Sequence, residues 1–168
     1  ATVGGLGGAA IGAGTAALYM RSNTVPRGAG LRYASNVLWG VTGAGLANSI
    51  MDVGDADIEA LVRTGGVSIG ALSGYSRLKH RPTEASVFET NLGGILGLHL
   101  GTMIPAVAMP QTDNERDIQL RSRYQSTGAL VGGSVGLGLS TLAQEAWTPD
   151  IEDGLFSGLM AVEGAILV

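Results

Sequence analysis

Gly132-Gly133-Ser134-Val135-Gly136 reproduces the G-x-S-x-G pattern in which a serine serves as nucleophile. That chemistry needs the serine on a sharp strand-to-helix turn, with a histidine and an acid completing a triad. Here the motif lies inside an unbroken glycine-spaced apolar run, and the chain has only two histidines. Small-residue packing is the better account of it. Gly5-Leu6-Gly7-Gly8-Ala9-Ala10 fits a loose G-x-G-x-x-A dinucleotide fingerprint, whose glycines would bring backbone against a pyrophosphate. No acid follows about 20 positions later to hold a ribose hydroxyl, the first being Asp52.

His99 stands among Leu98, Leu100 and Gly101 in an apolar run. An ionisable group at such a position is a candidate pore-lining residue if the run crosses a membrane. A neutral imidazole sharing a hydrogen bond with a neighbouring helix is the simpler reading. His80 belongs to the basic cluster Arg77-Leu78-Lys79-His80-Arg81, which reads as a solvated or headgroup-facing group. Two connectors carry several acids: Asp52, Asp55, Asp57 and Glu59, then Glu145, Asp150, Glu152 and Asp153. Hard cations want several oxygens, but these acids lack an EF-hand spacing and suit the first turn of a helix. No catalytic residue, cofactor or metal site is assigned, and the expectation is a protein that is not an enzyme.

Composition narrows the class. Glycine supplies 28 of 168 residues without a Gly-X-Y period, and only 14% of residues are charged, well under the usual quarter or so. Those two values point to lipid or to a large assembly. A net charge of −4 with no basic, aromatic-laced patch argues against nucleic acid as a partner. Without cysteine there are no disulfides or thiolate metal sites. The chain opens on Ala1 and closes inside the apolar run Gly164-Ala165-Ile166-Leu167-Val168, as expected of a piece of something longer.

Any such chemistry would have to be positioned by long apolar elements. Residues 1–20, 33–51, 90–112 and 124–144 carry no Asp, Glu, Lys or Arg, and each run has the roughly 20 residues a bilayer-spanning helix needs. Residues 64–76 and 154–162 form shorter runs, expected not to span. Within the runs glycine recurs every fourth residue: Gly4, Gly8 and Gly12; Gly66, Gly70 and Gly74; Gly93, Gly97 and Gly101; Gly128, Gly132 and Gly136. Glycine costs a helix about 1 kcal/mol against alanine. Its repeated use is expected where helices approach closely, as in small-xxx-small packing. These twelve glycines are the candidate helix-packing residues.

Helix starts are legible at Asp55-Ala56-Asp57-Ile58-Glu59, Pro82-Thr83-Glu84 and Thr148-Pro149-Asp150. Pro105 is expected to kink or end its helix, leaving 106–109 as an extension. The predicted fold is an all-α, glycine-zipper membrane bundle. An outer-membrane β-barrel stays as the alternative, because Gly43/Gly45 and Gly136/Gly138 alternate. Few aromatics and long unbroken apolar runs tell against it.

An internal duplication organises the runs. Gly4, Gly8, Gly12 and Met20 recur as Gly93, Gly97, Gly101 and Met109, Arg32-Tyr33-x-Ser35 as Arg123-Tyr124-x-Ser126, and Asp57-Ile58-Glu59 as Asp150-Ile151-Glu152. Two three-helix repeats follow, 1–89 and 90–168, each long, long, short. If the short helices do not span, the copies are parallel, and Arg21, Arg27, Arg32, Arg116, Arg121 and Arg123 share one side. If all six span, the copies are inverted, as in many transporters. The parallel arrangement is favoured. Tyr–Arg neighbours such as Tyr19/Arg21, Arg32/Tyr33, Tyr75/Arg77 and Arg123/Tyr124 suit an interface where the ring sits at the headgroups and the cation snorkels outward.

The glycine-spaced helices with Arg-flanked starts, Arg32-Tyr33 and Arg123-Tyr124, resemble bacterial glycine-zipper envelope proteins and glycine-rich helical repeats. The resemblance implies membrane association and self-assembly rather than a reaction. The expectation is therefore a structural or assembly subunit of the bacterial cell envelope, with the lipid bilayer and further copies of itself or a larger membrane complex as partners. A transport or pore module with short re-entrant helices, and a soluble repeat buried in a large complex, are the two alternatives.

Overall fold

In the computed structural model the described residues are 27–52, 54–77, 82–109 and 114–146. They form four helices: α1 (Arg27–Met51), α2 (Ala56–Arg77), α3 (Glu84–Ala108) and α4 (Glu115–Ala146). Every regular element among the described residues is helical, so the strand alternative has no counterpart there: Gly43/Gly45 and Gly136/Gly138 lie inside α1 and α4. The runs at 1–20 and 154–162, with Gly4, Gly8 and Gly12 and the expected helix start at 148–150, lie outside the described residues.

Helix ends obey local chemistry. Thr83, in an extended conformation, accepts from the Ser86 amide (3.1 Å) and caps α3. Asp55 accepts from the amides of Asp57 (2.8 Å) and Ile58 (3.3 Å) and caps α2. Asp52 has φ 52°, a left-handed conformation that short polar residues tolerate, and it turns the chain out of α1. Pro105 does not end its helix. α3 runs on to Ala108, and the Arg121 Nη2 donates to the Ala106 carbonyl (2.8 Å), one of the last four carbonyls without an intrahelical donor.

The helices pack as two antiparallel hairpins joined through α1. Helix α3 lies along α4, α2 lies along α1, and α1 also touches α3 and α4. Among the described residues α2 packs on α1 alone. It spans 22 residues rather than the 13 of its charge-free run, because its first two turns hold Asp57, Glu59 and Arg63. That length overturns the favoured parallel arrangement. Helices α1 and α4, which the repeat would make equivalent, run in opposite directions: Arg32 lies by Gln144, and Asp52 pairs with Arg123. Arg32 therefore sits at the end opposite Arg121 and Arg123. A division at 89/90 would also cut α3 inside its second turn, since the cap at Thr83 starts the helix well before its charges stop.

Among the described residues the fully buried apolar side chains are small, Val87 being the largest at 0% exposed. Large aliphatic side chains point outward, with Leu72 and Ile104 at 70% and Val107 at 83% exposure. Helix α3 is long and apolar enough to cross a membrane, and only 11% of its apolar window is buried.

Candidate functional site: glycine seams and a polar junction

The α3–α4 seam is built from Gly93, Gly97 and Gly101 facing Gly136, Gly132 and Gly128 in antiparallel register. A Cβ on Gly97 would collide with the Gly132 carbonyl oxygen, and one on Gly132 with that of Gly97. The same reciprocity holds for Gly101 with Gly128; Gly136 likewise meets the Gly93 carbonyl, whereas a Cβ on Gly93 would collide first with Ser140 Oγ and then with the Gly136 carbonyl. At the other five positions the α-hydrogen points at a carbonyl across the seam, the Cα–H···O contact that recurs at close helix crossings. Pro105 lies at the end of this seam, its Cγ 3.3 Å from where a Cβ of Gly128 would stand. Since proline has no N–H to bond the Gly101 carbonyl, that oxygen is left for Gly128.

The α1–α2 seam uses a wider alphabet. Gly66 faces Gly40 and Ala44, Gly70 faces Asn36, and Gly74 faces Tyr33, whose Cα would be 3.1 Å from an added Cβ. On α1 the facing residues are Asn36, Gly40, Ala44 and Asn48, again four apart. Only one of them is a glycine, so a search for glycine alone passes over the stripe.

A polar junction joins the two hairpins. Arg32, 7% exposed, donates through Nη1 to Thr90 Oγ1 (3.1 Å). Gln144 Nε2 donates to Thr90 Oγ1 (2.9 Å) and to the Ser86 carbonyl (2.6 Å). Thr90 in turn donates to Ser86 O (2.8 Å), so its hydroxyl is used as one donor and twice as an acceptor. One turn further in, Asn91 Oδ1 accepts from Trp39 Nε1 (2.8 Å) and from Ser35 Oγ. The Trp39 ring rests where Gly94 has no side chain: a Cβ there would be 2.5 Å from Cζ2. The expected snorkelling of Arg32 is thereby corrected. Its guanidinium turns inward because Thr90 and Gln144 offer acceptors at the level where its helix meets α3 and α4. Sequence reasoning missed Thr90, Asn91 and Gln144. The available signal was that Arg32, Ser35 and Trp39, at i, i+3 and i+7, share one helix face.

Two clefts open along α1 between α2 and α4. The upper one, about 490 Å³, is lined by Arg32, Ser35, Asn36, Trp39, Ser73 and Thr141 among others. The lower one, about 340 Å³, is lined by Asn48, Ser49, Asp52, Glu59, Arg63, Gln119, Ser122 and Arg123. In the lower cleft Asp52 pairs with Arg123 and Glu59 with Arg63, all part-exposed. His99 is brought to neither cleft. It is exposed on α3. Ser134 lies mid-helix with its hydroxyl donated to Leu130 O (2.7 Å), which leaves the G-x-S-x-G motif without its turn. Among the described residues no group of three or more acids or histidines could hold a metal ion.

Comparison of the chain with protein-family models, with curated proteins and with solved structures finds no match.

Proposed function

We propose that the protein is a membrane-embedded helical scaffold or assembly subunit, held together through glycine seams and working as an oligomer or within a larger envelope complex. One observation carries the reading: the charges of three helices stop at matching levels. Helix α1 is charge-free from Arg32 to Asp52, α3 from Glu89 onward, and α4 from Arg123 to Gln144. The contacts Arg32–Thr90, Arg32–Gln144 and Asp52–Arg123 bring those limits into line. Nineteen residues between Arg32 and Asp52 span about 28 Å at 1.5 Å each. A bilayer's hydrocarbon core is about 30 Å. Outward aliphatic side chains between two charged levels suit lipid better than a water-filled or protein-filled surround.

Helix α2 departs from the slab in an instructive way. Its backbone at Glu59 meets Asn48, and Gly66 meets Gly40, which puts Arg63 about 13 Å inside the Asp52 level. The lower cleft lies beside it and provides polar surroundings at that depth. A bacterial envelope location rests on the glycine-zipper resemblance. The test is fractionation of cells expressing the protein, followed by an alkaline carbonate wash. Retention in the membrane pellet is expected, and release would leave a glycine-packed repeat held by protein partners instead.

A further inference from the structure

We infer that the two clefts are the opposite mouths of one hourglass path along α1 for small, uncharged, hydrogen-bonding solutes such as polyols and amides, closed at Leu130. The inference rests on the membrane reading above and adds an activity to it. Both clefts occupy the same crevice, floored by α1 and walled by α2 and α4. The upper reaches from Arg32 to Trp39 and the lower from Asp52 to Gly45. Five residues of α1, 40–44, separate them, about 9 Å from Trp39 to Gly45. Over that interval Gly40 and Ala44 face α2, and Leu130 of α4 lies over Gly43, its Cδ1 3.9 Å from the position of an added Cβ. A single aliphatic side chain over a glycine is a hydrophobic constriction of the kind that gates by dewetting.

The lining selects the solute class. The upper mouth is lined by the hydroxyls of Ser35, Ser73 and Thr141, which donate within the bundle and keep oxygen lone pairs to accept, and by the amide of Asn36. The lower offers Asn48, Ser49, Gln119 and Ser122, with two acids and two arginines paired so that no net charge results. Asn48 is 8% exposed and donates to the Glu59 carbonyl (3.3 Å). Its Oδ1 is buried without a protein hydrogen-bond partner. Buried Arg32 disfavours cations at the upper mouth, and the apolar septum makes any bare ion shed its hydration. Neutral solutes that trade hydrogen bonds with water for hydroxyls and amides meet neither barrier.

The test uses the full chain in proteoliposomes whose carbonate resistance is checked in the same preparation. Glycerol entry is followed by light scattering after an osmotic step. Wild-type protein is expected to speed glycerol equilibration several-fold over protein-free vesicles, Leu130→Ala to raise it further, and Leu130→Trp to return it to the protein-free rate. Because the chain has no cysteine, near-isosteric Ser122→Cys and Thr141→Cys variants report access in a uniformly oriented membrane. An impermeant maleimide is expected to label one variant from each face. Protein-free rates for both wild type and Leu130→Ala in carbonate-resistant vesicles, or labelling of both cysteines from the same face or of neither, overturn the path and leave the membrane reading intact. Loss of carbonate resistance sinks the membrane reading itself.

Discussion

Gly132 and Gly138 sit six residues apart on α4 and are predicted to respond oppositely to a side chain. A Cβ on Gly132 meets the Gly97 carbonyl and comes within 3.0 Å of the Gly101 Cα, both backbone atoms that cannot swing away. Gly132→Leu is therefore expected to lower unfolding stability in detergent by about 2 kcal/mol or more and to block assembly or insertion. Gly138 has nothing within 4 Å of an added Cβ. Gly138→Ala is expected to be neutral or to stabilise by up to about 1 kcal/mol through helix propensity. Equal losses from both, in thermal melts of the two variants, would mean that glycine matters here for something other than close approach. Asn91 gives a second residue-scale prediction. Asn91→Leu strands the Trp39 N–H and the Ser35 hydroxyl inside the junction. A loss of about 2 kcal/mol or more is expected, at roughly 1–3 kcal/mol for each buried donor left unpaired. A melt indistinguishable from wild type would show that the junction is hydrated.

At the scale of the element, the caps were readable before any contact was known. Thr83 and Asp55 precede runs of helix formers and have acids in the turn that follows. Thr83→Ala is expected to cost about 1 kcal/mol, with Thr83→Asn close to neutral because asparagine caps equally well. Comparable destabilisation by both in the same melt would place the role of Thr83 elsewhere. The lengths of the elements were less legible. A charge-free run marks where side chains stop being ionised, whereas a helix ends where its backbone loses partners. Helix α2 therefore exceeds its run by carrying Asp57, Glu59 and Arg63 on solvated or cleft-facing positions. Helix α3 likewise passes Pro105, because the carbonyl that proline leaves without a donor lies against Gly128.

For the molecule as a whole, stability should be uneven. The α3–α4 pair shares three close glycine pairs, while α2 rests on α1 alone among the described residues. Amide exchange in detergent is expected to show α2 less protected than α3 and α4, as local opening follows the number of partners an element would have to leave. Protection of α2 equal to that of α4 would indicate that α2 has a further partner in the assembled protein. The ion pairs Arg123–Asp52 and Arg63–Glu59 are part-exposed and add at most about 1 kcal/mol each. Their arrangement at the lower cleft matters more for its electrical neutrality than for the fold.

Helical class, the glycine stripes of α3 and α4, the capping residues and the shortage of charge were all determined by local pattern. Periodicity, capping and composition act on neighbours a few positions apart, so they can be read along a single chain. The directions of the helices, the inward turn of Arg32, the pairing of Gly40 with Gly66 and the meeting of Thr90, Asn91 and Gln144 with α1 were decided only in three dimensions. They depend on which faces meet and at what level, and the α1 stripe of Asn36, Gly40, Ala44 and Asn48 has no repeated residue type to reveal its partner.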